Sequence, residues 1–272
     1  MAKTMLSIGI AIIFILTGPA LADNHKKKAK AAPAQNVGGV DDPKGGTITG
    51  VVKYSGKLVK RKPINMAGNA QCNQFYKGEF PQHERWVFGK TKDGKSDTLA
   101  NVLVYVSKGL AGKKFAPPKT VAQLNQKGCR YEPHVLAIMV GQPMEIANSD
   151  PWMHNVTNNG LAENNDPFNI AMPFQGKLKP MKFKKELKMA VRCSVHPWME
   201  AYIHVLDHPY FALTGKDGSF TIKGLPAGKY EVAVLHEMII FEAAKPALEV
   251  TAEGGKTANL EFVFSPKKRK AK

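Results

Sequence analysis

The chain is poor in cysteine, in acidic side chains and in long apolar runs. Its three cysteines are Cys72, Cys129 and Cys193, too few for a small disulfide-dense scaffold. The apolar stretch from Met5 to Leu16 is too short for a comfortable membrane span. It follows Lys3 and leads to Ala20-Leu21-Ala22, the small-x-small pattern of a secretory leader. Residues 1–22 are therefore expected to be a signal peptide, with the folded part in the periplasm or secreted. An uncleaved anchor is the alternative, and no cysteine follows the cut to carry a lipid. The chain has no Ser-His-Asp order, no phosphate-cradling glycine loop and no haem-attachment motif, which argues against those three chemistries. Sustained helical periodicity is missing too, and only Val121 to Gln126 is expected as a short helical turn.

The shortage of acid leaves a formal charge of +17. Much of the excess lies in two tails, Lys26, Lys27, Lys28 and Lys30 near one end and Lys267, Lys268, Arg269, Lys270 and Lys272 at the other. Such runs are expected to be solvated, and able to rest on an anionic membrane surface or an acidic partner. Nucleic acid is a poor match for an exported protein. Residues 23–45, rich in Lys, Ala, Pro and Gly, read as a disordered linker, and 265–272 as a basic tail. A further cluster, Lys177, Lys179, Lys182, Lys184, Lys185 and Lys188, lies inside the folded region.

What remains reads as all-β. Thr47–Tyr54, Asn101–Val106, Val135–Val140, Met144–Asn148 and Ala201–Leu206 have strand composition. Leu187, Met189, Val191 and Cys193 alternate with Lys188, Ala190 and Arg192, which turns the Cys193 thiol inward with the apolar side chains.

The thiol opens the run Cys193-Ser194-Val195-His196-Pro197-Trp198-Met199, at C-x2-H-x2-M spacing. Upstream, Asn148-Ser149-Asp150-Pro151-Trp152-Met153-His154-Asn155 adds a second imidazole. Two His and one Cys with a weak axial Met form the ligand set of a blue-copper electron-transfer site. Zinc is the rival metal, but a thioether is a poor zinc ligand.

These residues resemble the ligand positions of cupredoxins of the amicyanin and plastocyanin type. The resemblance covers about residues 125–206. It implies a Greek-key β-sandwich holding one type 1 copper on His154, Cys193, His196 and Met199. It also implies that Asn155 ties the His154 loop to the Cys193 loop. The outer edge of His196 would open on an apolar surface patch, with Pro197 and Trp198 contributing. With Cys193 committed to metal, Cys72 and Cys129 are left to bridge, two separate buried thiols being the alternative.

Thr214 to Val232, with turns at Asp217-Gly218 and Pro226-Ala227-Gly228, resembles the carboxypeptidase regulatory-like domain, a small β-sandwich. Ala247–Val250 and Leu260–Phe264 would be its closing hairpin. The opening strand of that family appears far upstream, at Gly46–Val52. The expected organisation is a sandwich split into 46–112 and 207–264, with a cupredoxin domain at 113–206 between its parts. The expected function is a periplasmic one-electron carrier and not an enzyme. A copper delivery or storage protein and a structural surface module are the alternatives. The redox partner would present an acidic docking face to the Lys177–Lys188 cluster.

Overall fold

The computed structural model describes residues 37–158, 167–238 and 241–267. The expected signal peptide and most of the basic tails lie outside them. The described residues form four sheets and one short helix, an all-β architecture. None of their helices is long and apolar enough to cross a membrane.

Two of the sheets face each other over one apolar core. The first runs Asn169–Met172, His154–Thr157, Leu187–Arg192, Glu200–Leu206, Val135–Met139; the second runs Gly176–Lys177, Met144–Asn148, Ala122–Gln126, Tyr131–Glu132. Leu187–Arg192 buries Met189 and Val191 and leaves Lys188 and Arg192 outside, as its alternation requires. Val135–Met139 is buried at every residue. Leu136 and Ile138 fill this core, while Val135 and Ala137 meet Leu103, Leu206 and Leu213 on the other side.

The other two sheets enclose a second core around Ile48, Val52, Val104, Phe220, Val232 and Phe262. Strand Gly46–Tyr54 lies between Ser219–Leu225, antiparallel, and Thr257–Pro266, parallel. The opening strand and the C-terminal strands thus share one sheet across the intervening chain. Gly218, at φ +70, makes the tight turn expected at Asp217-Gly218.

Several expectations are corrected. Val121 to Gln126 is not helical: Ala122–Gln126 is a strand, paired in parallel with Met144–Asn148. The stretch is too short for a helix to win against a neighbouring strand that satisfies its backbone. Ala247–Ala252 and Thr257–Pro266 do not form a hairpin. The former pairs with Gly228–Leu235 in one sheet and the latter joins the opposite sheet. The linker ends earlier than expected, because Val37–Gly39 pairs with Ser219–Leu225. Ser265 and Pro266, expected in the basic tail, extend the last strand.

The helix, Ala70–Tyr76, was not expected. Asn69 caps it by accepting from the Cys72 N–H at 3.0 Å, and Lys77 ends it at φ 51. It belongs to a long connection between Gly46–Tyr54 and Phe88–Lys90. Ile64, Met66 and Cys72 of that connection pack in the first core, although the surrounding strands belong to the second. A disulfide between Cys72 and Cys129 fastens it there.

Candidate metal centre

The four candidate ligands lie at one end of the first sandwich. His154 is the first residue of strand His154–Thr157, and Cys193 follows strand Leu187–Arg192. His196 and Met199 sit on the tight turn beyond it, which closes with Met199 N–H donating to the His196 carbonyl at 2.9 Å. All four are buried, at 0%, 3%, 1% and 1% exposure for His154, Cys193, His196 and Met199. One donor atom each of His154, Cys193 and His196 falls within 4.8 Å of the other two. The two Nδ1 atoms face each other at 3.0 Å, and the Cys193 sulfur is 3.7 Å from His196 Nδ1. Met199 joins Cys193 in the same core.

The thiol is prepared for ionisation. Burial acts to raise its pKa. Hydrogen bonds from both imidazoles and from the Asn155 and His196 backbone outweigh that, and the pKa falls to about 6. A thiolate is therefore available at neutral pH. The Asn155 side chain accepts from Ser194 N–H, and its own amide donates to Asn169 at 2.6 Å. It ties the two ligand loops together as expected. This donor set, two inward imidazole nitrogens and a ready thiolate, fits a soft metal such as copper.

Two further residues were missed from the sequence. Asp150 Oδ2 lies 2.8 Å from His154 Nε2. The Asp150 carboxylate also accepts from Gly128 N–H at 2.7 Å and Cys129 N–H at 2.9 Å. Gly128 and Cys129 have φ +58 and +54, a left-handed pair whose N–H groups converge on an anion. Burial lowers the His154 pKa, but Asp150 and Cys193 outweigh it and the pKa is raised. Asn69 Nδ2 lies 3.2 Å from His196 Nε2. The Cys72–Cys129 bridge, expected from the sequence, also lies beside the centre. Its sulfurs lie within 4.8 Å of a His196 ring nitrogen, and the Cys129 sulfur within 4.8 Å of a His154 nitrogen. Both sulfurs are spent on each other and are not thiolate donors. Gly68-Asn69 ahead of a helix was a legible capping signal. The reach of Asp150 to His154 had no sequence period behind it.

The expectation of an open His196 edge is overturned. Pro197 is exposed, but the His196 ring is buried under Asn69, and Trp198 is half-buried with its Nε1–H donating to Cys129 O at 3.0 Å. A cavity of about 20 Å³ beside Met199, lined also by Arg130, His134 and Glu200, has room for one water and not for a substrate.

Much of the basic cluster lies away from the candidate ligands. Met181 pairs with Met144, and Phe183 O accepts from Gly141 N–H, so Lys182, Lys184 and Lys185 lie by the start of strand Met144–Asn148. The candidate ligands adjoin its far end, roughly 13 Å along at the usual rise per residue. Lys188 Nζ sits 4.9 Å over the Tyr105 ring. Lys177, opposite Ala147 and 2.9 Å from Glu145, is the member near the ligands.

No protein-family profile matches the chain, and no curated protein matches it in sequence. Solved structures similar to parts of it include the Cu-containing nitrite reductase (NirK) from Thermus scotoductus SA-01. That likeness has 24% identity over 35% of this chain and 24% of that one, with a TM-score of 0.30. A purple cupredoxin from Nitrosopumilus maritimus is 24% identical over 31% of this chain and 98% of that one, TM-score 0.26. Amicyanin from Paracoccus versutus is 18% identical over 38% of this chain and 96% of that one, TM-score 0.29. The chain thus spans about a quarter of the nitrite reductase and nearly all of the purple cupredoxin and the amicyanin.

Proposed function

We propose that this chain is an exported mononuclear copper protein that carries one electron between partners. The observation that carries the reading is the convergence of His154, Cys193 and His196 donors within 4.8 Å, with the Cys193 pKa at about 6. Bound copper would supply reversible one-electron chemistry between Cu(I) and Cu(II). The chain's residues do the rest. Cys193 would bind as thiolate, its sulfur fixed by the Asn155 N–H at 3.5 Å. His154 offers Nδ1 while Asp150 holds Nε2, and a carboxylate partner of this kind fixes the ring and raises its basicity. His196 would offer Nδ1 with the ring proton on Nε2, beside the Asn69 side chain. Met199 would supply a fourth, weak thioether donor. Four protein donors leave no open position for a substrate, and catalysis at a metal needs one. The Cys72–Cys129 bridge supports an oxidising compartment. In the same reading, the second sandwich is a carboxypeptidase regulatory-like module split around the copper domain.

One observation favours a second reading, copper storage or delivery. Burial of His196 under Asn69 would sequester a metal as well as tune it. An absorption spectrum recorded on adding Cu(II) to metal-free protein tests both. Intense visible colour from thiolate-to-copper charge transfer, reversible with a mild reductant, supports the carrier. Tight binding without colour supports storage, and no binding ends both.

A further inference from the structure

The two imidazoles of the centre face different surroundings. On the His196 side the Asn69 cap and the disulfide cover the ring. On the His154 side, large apolar side chains reach the surface. Trp152 and Met153 directly precede His154, and Met153 is 46% exposed. Phe174 is 76% exposed and Phe75, on the helix, 48%. The Phe75 and Trp152 ring centroids lie 6.0 Å apart at an interplanar angle of 78°. The Asn148 side-chain amide donates to Trp152 O at 3.0 Å and to Phe174 O at 3.2 Å, so one buried group pins both segments side by side. Phe75, Trp152, Met153 and Phe174 therefore form one apolar face at the ligand end. Contiguous exposed apolar surface of this kind marks an interaction site.

Lysines stand around the face, with Glu79 and Glu145 among them. Lys77 follows the helix, and Lys127 precedes Gly128, against which Phe75 and Tyr76 pack. Lys177 stands beyond Phe174, shared with Glu145. Asp150, the acid within the segment, is buried and bonded to His154.

We propose that this face, and not the His196 edge, is where the chain meets its redox partner. The partner is a redox protein whose apolar contact surface is ringed by carboxylates. One electron leaves the centre on the His154 side and the partner's oxidised group gains it. Apolar contact at the middle with charge at the rim gives fast, brief docking. This rests on the electron-carrier reading above.

The test uses the full chain and two anionic probes. Paramagnetic hexacyanochromate(III) is added to isotope-labelled protein, metal-free and Cu(I)-loaded. Amides of residues 75–78, 127, 152–153 and 174–177 should broaden, and those of 195–199 should not. Oxidation of the Cu(I) protein by hexacyanoferrate(III) is then timed at low salt. The pair Lys77→Glu and Lys127→Glu should slow it roughly tenfold, within the range of electrostatic steering. The triple variant Lys182→Glu, Lys184→Glu and Lys185→Glu should change it far less. Broadening at 195–199, no broadening on the proposed face, or equal slowing by the triple variant overturns the proposal. Mapping on metal-free protein is independent of copper, so a chain that takes no colour defeats the functional reading without deciding the docking face.

Discussion

Asn69 Nδ2 lies 3.2 Å from His196 Nε2, while Asn69 Oδ1 accepts the Cys72 N–H at 3.0 Å. One side chain therefore caps a helix and meets a candidate metal ligand. Helix Ala70–Tyr76 cannot shift without disturbing the His196 ring. The outer edge of that ring faces protein where an exposed patch was expected.

Asn69→Ala should remove both contacts. The lost cap alone should lower stability by about 1 kcal/mol. The freed ring should also let a chelator strip copper faster than from the unchanged protein. Thermal unfolding and chelator-exchange rates would check this. A variant with lowered stability and unchanged copper exchange would reduce Asn69 to a helix cap.

Cys72 and Cys129 are 57 residues apart, and their bridge should stabilise the fold by about 4 kcal/mol on the loop-entropy estimate. Replacing both by Ser should lower the unfolding midpoint accordingly. Peptide mapping without reductant should find this pair linked and Cys193 free. A linkage through Cys193 would remove the thiolate from the centre.

Cys193→Ser should abolish the charge-transfer colour, because a hydroxyl is a hard, weakly basic donor. Met199→Leu should keep copper and colour and raise the potential, since Cu(II) loses an axial donor. Asp150→Asn should also raise the potential, because His154 loses the carboxylate that makes it a stronger donor, and copper affinity should fall about 10- to 100-fold. Voltammetry with absorption spectra separates these outcomes. Colour that survives Cys193→Ser would place the metal elsewhere.

His204 gives a pH signature. Burial pushes its pKa down to about 4, helped by nearby Lys188 and His236, and its Nδ1 has no hydrogen-bond partner among the described residues. The unfolded ring titrates near its ordinary value of about 6.5. Between those values the unfolded chain binds more protons, so stability falls as pH falls. The loss should begin near pH 6.5 and reach on the order of 3 kcal/mol by pH 4. His134 works the other way. Burial opposes its charge, but Glu237 at 3.2 Å outweighs burial and its pKa is raised, so its contribution is lost as pH rises. Denaturant unfolding of the natural chain and of His204→Gln from pH 7 to pH 4 isolates the His204 part. Parallel curves would show that the ring is not buried in its neutral form.

The candidate turn was legible because it is local. Cys193, His196 and Met199 are close in the chain, and the alternation from Leu187 to Arg192 sets the direction of the thiol by strand geometry alone. Pairing of Gly46–Tyr54 with the C-terminal strands was expected through the resemblance of Gly46–Val52 to the opening strand of the regulatory-like domain. The surroundings of the imidazoles were not. Asn69 stands 127 residues from His196, and no hydrophobic period marks the connection that carries it. Asp150 reaches His154 through a bend whose side-chain directions follow no regular spacing. Lys182, Lys184 and Lys185 precede the Cys193 strand in sequence yet sit at its far end, because a strand separates its two ends in space. Chain neighbours and periodic patterns determine which atoms could bind a metal. Long-range packing and one disulfide decide what surrounds the two imidazoles.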